Sequence, residues 1–154
     1  MVDFNDRIIM AKKDILPLKF PIKQRNRCPK PKGLWYAIGN EWIDWVRSEM
    51  PHWEGDYIYK LDLNSTKILF LETYDDIEKF TRKYKIDIDY SGVDVFDINW
   101  KEVSENYSGI EISPYQSSVR HKMLWYNGWD VASGCIWKKD GIESIVKIKK
   151  YVKY

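Results

Sequence analysis

The stretch "KPKGLWYAIGNEWIDWVRSEM", Lys30 to Met50, organises the chain around it. "GLWYAI" is a short apolar run that follows a Pro/Lys segment, and it reads as a buried strand. Asn40 then stands at a helix boundary with Glu41 in the first turn, and Trp42, Ile43, Trp45, Val46 and Met50 follow at helical spacing. Pro51 ends that helix. The strand therefore passes almost directly into the helix. Trp35, Tyr36, Trp42 and Trp45 crowd this joint, which suits either a dense core or the wall of a pocket for a flat ring.

Downstream, "DYIYKLDL" and "KILFLE" read as two strands with a tight connection at "NST", and their pairing is the local contact this reading expects first. "YDDIEKFTRKY" places Ile77, Phe80 and Tyr84 on one helical face, with Asp75 and Asp76 at its start and Arg82 and Lys83 near its end, as the helix dipole favours. "VFDINWKEVSENY" repeats the device, with Asp97 or Asn99 as cap and Trp100, Val103 and Tyr107 as the apolar stripe. "GIEIS" returns to strand, "PYQSSVRHK" is a polar loop, and "WDVASGCIW" and "SIVKIKKYV" read as two closing strands. Upstream, Asn5 caps a short helix or leads a strand. "DILPLKF" alternates like a strand interrupted by Pro17, and residues 21–32 are a proline-rich loop. The expected fold is α+β: one domain over residues 1–154, a mostly antiparallel split sheet with two to three packed helices.

A chain of 154 residues suits one core. Aromatic residues make up 16% of it, with 8 Trp and 11 Tyr, so large rings can build that core from few positions and still leave some for a pocket or interface. The net charge of +2 supplies no global field of the kind that marks a nucleic-acid binder. Basic residues are uneven all the same: Lys19 to Lys32 contains no acid, and the tail "KIKKYVKY" is basic too. Either run suits solvated loops or a strand-edge gatekeeper better than phosphate contacts. Cys28 and Cys135 lack the spacing of a zinc site or redox pair, and His52 and His121 lack a ligand pattern, so no metal is expected. With no signal peptide and no long apolar segment, the expectation is a soluble cytoplasmic protein with no membrane contact.

Glu111 in "YSGIEIS" alternates with Ile110 and Ile112, so if the isoleucines face the core it faces water or a cleft. An outward acid on an amphipathic strand is the plain reading. The opening stretch bears on that choice. Gly33, Leu34, Trp35, Tyr36 and Ala37 resemble the Gly-Ile-Tyr-Phe-Ala/Ser strand, followed at once by a helix, of ADP-ribosyltransferases of the poly(ADP-ribose) polymerase type. "YSGIEI" is similar to that superfamily's later strand, whose glutamate stabilises the ribosyl cation and orients the ribose. The resemblance implies NAD as substrate, Glu111 as the catalytic carboxylate, and Gly33, Trp35, Tyr36, Ala37 and Trp42 around the nicotinamide. The superfamily's first strand carries His or Arg for the adenosine ribose or the phosphates. Here "RIIMAKK" offers Arg7, Lys12 and Lys13, and none matches a motif. The wider pattern is also similar to a small family of phages and bacteria, which would place the chain in the cytoplasm, the host's if it is phage-encoded.

"WYNGWDVASGC" is the other distinctive segment. Gly128 and Gly134 permit close backbone approach, and Trp125, Trp129 and Asp130 could complete a pocket mouth, so Trp129 joins the expected cofactor-binding residues. A hairpin turn before a core strand is the plainer reading. Cys135 suits a small core position better than a nucleophile. Two functions follow. The first is transfer of ADP-ribose from NAD to a protein or nucleic-acid acceptor. The second is a non-enzymatic protein that inhibits a host factor through an aromatic surface or pocket. A nucleic-acid-processing protein, suggested by the basic run and stacking aromatics, is a third.

Overall fold

In the computed structural model, which describes residues 5–86 and 95–150, the apolar run forms a strand at Leu34–Ile38 and the helix beyond it spans Glu41–Glu49. These are β2 and α1. Gly39 makes the joint at φ 60°, a left-handed conformation that glycine adopts at no steric cost. Asn40 holds the cap position without a side-chain cap hydrogen bond. Glu41 instead accepts from the Ala132 N–H at 3.0 Å and ties the helix start to a distant loop.

Around this joint stand β1 (Arg7–Ala11), β3 (Tyr57–Leu63), β4 (Ile68–Leu71), α2 (Tyr74–Tyr84), α3 (Trp100–Asn106), β5 (Gly109–Ile112), β6 (Ser133–Ile136) and β7 (Ile142–Lys150). The last two residues of "SIVKIKKYV" and the end of the basic tail lie outside the described residues. The seven strands form one sheet in the order β4-β5-β6-β2-β1-β3-β7. Every pairing is antiparallel except β4 with β5. Parallel strands need a long crossover, and the segment carrying α2 and α3 supplies it. The fold is α+β with a mostly antiparallel sheet, as the sequence implies.

One expectation about pairing fails. β3 and β4 do not pair: both edges of β3 are taken, by β1 and β7, and β4 pairs with β5. The connector between them is a 3-10 turn at Ser65–Lys67, not a hairpin. "WDVASGCIW" and "SIVKIKKYV" do supply the last two strands of the chain, with β6 inside the sheet between β5 and β2 and β7 at its edge.

The β3–β4 connection also shapes the sheet. From Leu63 to Ile68 the chain can span at most about 17 Å. In a flat sheet β3 and β4 stand five places apart, about 24 Å. The sheet must therefore curl to bring its edges together. One apolar cluster joins Ile68 of β4 to Ile136, Tyr36, Ile9, Tyr59 and Leu61, with Ile142 and Ile145 of β7 packed against it, which marks the concave face. The helices lie on the other face. Ile43 of α1 packs on Ile8 and Ile58, while Ile77 and Phe80 of α2 and Trp100 and Val103 of α3 pack with Ile110, Ile112, Trp125 and Trp137.

The start of α2 is a full capping box: Asp76 N–H donates to Thr73 Oγ1 at 3.1 Å, and Thr73 N–H donates to the Asp76 carboxylate at 3.2 Å. The cap is Thr73, and Asp75 and Asp76 stand in the first turn as the charge pattern implies. Thr73→Ala is expected to cost about 1 kcal/mol and lower Tm by roughly 2–4 °C. Calorimetry against wild type checks it.

"DILPLKF" forms no strand. Pro17 and Pro21 lack N–H donors, and the segment instead crosses the concave face, where Ile15 and Phe20 pack on the apolar cluster. Asp14 pins it there. Its carboxylate accepts from Tyr59 Oη at 2.6 Å, Lys147 Nζ at 2.6 Å and the Leu16 N–H at 3.1 Å, and Tyr59 Oη accepts in turn from the Ile15 N–H at 3.1 Å. Lys147 and Tyr59 hold the Asp14 carboxyl well below the usual carboxylate range. A depressed acid stabilises the fold fully above its unfolded pKa of about 4, and that contribution disappears as pH falls through the lower folded value. Wild type is thus expected to lose more stability than Asp14→Asn on acidification below about pH 4. Denaturant midpoints of both proteins along a pH series test this.

Candidate functional site

Side chains alternate across a strand, so Arg7 shares the concave face with Ile9, and Tyr36 shares it with Leu34 and Ile38. On β5, Ile110 and Ile112 point to the helices and Glu111 to the concave side. That side is not open water. Its carboxylate side chain is only 7% exposed, so β5 is buried on both faces and the expected outward acid lies inside.

Three polar groups meet there. Arg7 Nε donates to Glu111 Oε1 at 2.5 Å and Nη2 donates to Oε2 at 3.1 Å, a two-pronged guanidinium–carboxylate pair. Tyr36 Oη donates to Oε1 at 3.0 Å. Burial, with Glu111 beside it, pushes the Tyr36 phenol well above its ordinary range, so it remains a donor. The bond to Glu111 raises the Arg7 pKa further. Arg7 is the open side of the cluster, with a side chain 30% exposed, and its guanidinium lies 5.9 Å from the centroid of the half-buried Phe70 ring.

These residues come from β1, β2 and β5, and β6 runs between the last two. Gly134 of β6 sits directly opposite both Tyr36 and Glu111. A Cβ there would collide with the Tyr36 phenol and crowd the Ile110 carbonyl. The missing side chain is the passage through which Tyr36 reaches across a strand to the carboxylate.

A second site lies on the helical face. A cavity of about 370 Å³ is lined by Trp35 and Ala37 of β2, Trp42 of α1, Trp53 after it, and Gly128, Trp129 and Asp130 of the turn before β6. Trp35 and Trp129 meet edge to face at 4.9 Å, and Trp42 stacks on Trp45 at 5.1 Å. Lys30 Nζ stands 5.0 Å from the centroid of Trp35. Desolvation by these neighbours lowers the Lys30 pKa.

The expected site residues thus divide between two faces. Tyr36 meets Glu111. Trp35, Ala37, Trp42 and Trp129 line the other cavity, where Glu111 is not a neighbour, and Gly33 packs against Cys135 and Ile136 of β6. Of the opening stretch, Tyr36 is buried, while Trp35 and Trp42 line the cavity with Trp53; Trp100, Trp125, Trp129 and Trp137 are core. Cys135 is buried, and burial pushes its thiol up, as a core position would. Arg7 is the partner that sequence reading could not single out from Lys12 and Lys13. Its one signal is shared parity with Ile9. Lys30 and Trp53 carried no periodic signal at all. No three His, Cys, Asp or Glu side chains gather as metal ligands among the described residues, and none of their helices is long and apolar enough to cross a membrane. Comparison with family models, curated proteins and solved structures gives no match for this chain.

Proposed function

We propose that this chain transfers ADP-ribose from NAD to a macromolecular acceptor, a protein or a nucleic acid, with Glu111 as the catalytic carboxylate. The observation that carries this reading is the convergence of Arg7, Tyr36 and Glu111 on one concave face from β1, β2 and β5. A buried carboxylate is costly and adds little stability even when paired, so a cluster of this kind is more often kept for chemistry than for folding. Arg7 also supplies the cation on the first strand that the resemblance calls for.

The chemistry is dissociative. The bond from ribose C1′ to the nicotinamide nitrogen breaks, its electron pair leaves with neutral nicotinamide, and positive charge grows on the sugar. An oxygen or nitrogen of the acceptor then bonds to C1′ and releases its proton to solvent. In this role Glu111 opposes the growing charge, an interaction stronger in the transition state than in the ground state. A ribose hydroxyl would take the place of one Arg7 hydrogen bond and position the sugar. Arg7, freed on that side, suits a phosphate. Tyr36 keeps the carboxylate oriented, and Phe70 provides ring surface beside it.

The test is incubation of the purified protein with labelled NAD in a cell lysate, following nicotinamide release and label transfer. Transfer by wild type is the expected result. A non-enzymatic role, inhibition of a host factor through the aromatic face, is favoured by a different observation: Trp53 is 46% exposed beside Trp42 and Trp45. Under that reading Glu111→Gln keeps full inhibitory activity and Trp53→Ala loses it.

A further inference from the structure

Trp100, Trp125 and Trp137 are buried, and each donates its indole N–H: to Cys28 O at 2.9 Å, to Thr81 Oγ1 at 3.0 Å and to Tyr107 O at 2.8 Å. Trp129 is equally buried, at 1% exposure, and its Nε1 has no partner among the described residues. It lines the tryptophan cavity. That nitrogen has no accessible surface, so Trp129 offers the cavity ring surface and no hydrogen bond. Lys30 is exposed at the cavity mouth, where its ammonium lies over the Trp35 ring with Asp130 acting on it from a distance.

The cavity therefore offers indole planes for a flat ring and one cation for an anion attached to that ring. A nucleobase with its phosphate has both. The free nucleotide and the strand share this chemistry, and charge beyond the cavity separates them. Lys30 belongs to a run of exposed cations with Lys23, Arg25, Arg27 and Lys32, on a segment that passes Ile98 and Lys101 near α3 on its way to the cavity mouth. A positive track beside stacking aromatics is the arrangement that holds single strands without reading their sequence.

We infer that the tryptophan cavity seats one base of single-stranded nucleic acid, with the adjoining phosphates on Lys30 and the cations before it. The site is on the opposite face of the sheet from Glu111 and does not depend on the transferase reading. It anchors a strand and leaves the reacting atoms elsewhere.

The test is a titration of intrinsic tryptophan fluorescence in the full chain, without NAD, using a short single-stranded oligothymidylate, the matching oligouridylate and thymidine monophosphate. Both strands are expected to quench saturably and to bind at least about tenfold more tightly than the mononucleotide. Trp53→Ala and Trp42→Ala, at positions only partly buried, should each weaken strand binding by about tenfold or more, the loss of one stacking partner. Lys30→Gln should reduce the slope of log affinity against log salt by about 0.7, one phosphate contact on a single strand. Absence of saturable quenching by either strand overturns the proposal. So does binding that all three variants leave unchanged, or a mononucleotide that binds as tightly as the strand. Because NAD is absent, failure here is distinct from failure of the transferase, which label transfer reads separately.

Discussion

Glu111→Gln is expected to lower ADP-ribose transfer by two to three orders of magnitude, the usual loss when one preorganised charge-stabilising group is removed from a transition state. The amide has nearly the shape of the carboxylate, and its oxygen still accepts from Tyr36 or Arg7, so the fold should survive with a penalty of about 1–2 kcal/mol. What disappears is the negative charge. Because that charge matters most when the glycosidic bond is partly broken, kcat should fall far more than KM for NAD rises. Arg7→Lys should show the opposite balance. A lysine keeps a positive charge but loses the two-pronged grip seen at 2.5 and 3.1 Å, so positioning of substrate and carboxylate suffers and KM rises. Steady-state nicotinamide release over a range of NAD concentrations separates the two. Equal turnover by wild type and Glu111→Gln would sink the proposed role. So would a wild type that neither releases nicotinamide nor gains thermal stability from NAD.

The largest expected effect on stability belongs to Gly134→Ala. One methyl group at this position meets the Tyr36 ring and hydroxyl on one side and the Ile110 carbonyl on the other. The backbone of a central strand cannot move aside, because β5 and β2 bind it on both edges. Tyr36 must swing away, leaving a buried phenol and one oxygen of Glu111 without their mutual hydrogen bond. Overpacking costs about 1–3 kcal/mol, and the stranded polar groups add about 1–3 kcal/mol more. A combined loss of roughly 2–6 kcal/mol would lower Tm by on the order of 10 °C for a domain of this size. Tyr36→Leu removes the obstructing phenol, so the double variant Gly134→Ala/Tyr36→Leu should cost clearly less than the two single changes added together. Strict additivity in that cycle would show that the passage over Gly134 is not the reason for the glycine.

Much of the local structure was legible along the chain. The run from Leu34 to Ile38, the helices at Glu41–Glu49, Tyr74–Tyr84 and Trp100–Asn106, and the strands around Glu111 and Cys135 all follow from apolar period, caps and prolines, which act over a few residues. Which strands lie side by side was not legible. β3 and β4 look like a hairpin because their sequences are adjacent and apolar, yet β4 finds its partner across α2 and α3, and β3 is held by β1 and β7. A strand's own sequence does not name its neighbour: the alternation of β3, with Lys60 and Asp62 exposed, reveals which face is outer and not which strand lies alongside.

The candidate site divides along the same line. Glu111 and Tyr36 were visible as residues of interest from two short motifs, and the tryptophans from their density. That Tyr36 and Trp35, neighbours in sequence, serve opposite faces follows from strand alternation alone. That Arg7 reaches Glu111, 104 positions away, depends on the curl of the sheet and on a glycine placed where a strand must be crossed. Local chemistry settles helices, caps and the parity of side chains because those interactions span a few bonds. The meeting of a guanidinium, a phenol and a carboxylate on one concave face is set by long-range pairing and burial, for which no short stretch of this chain carries the information.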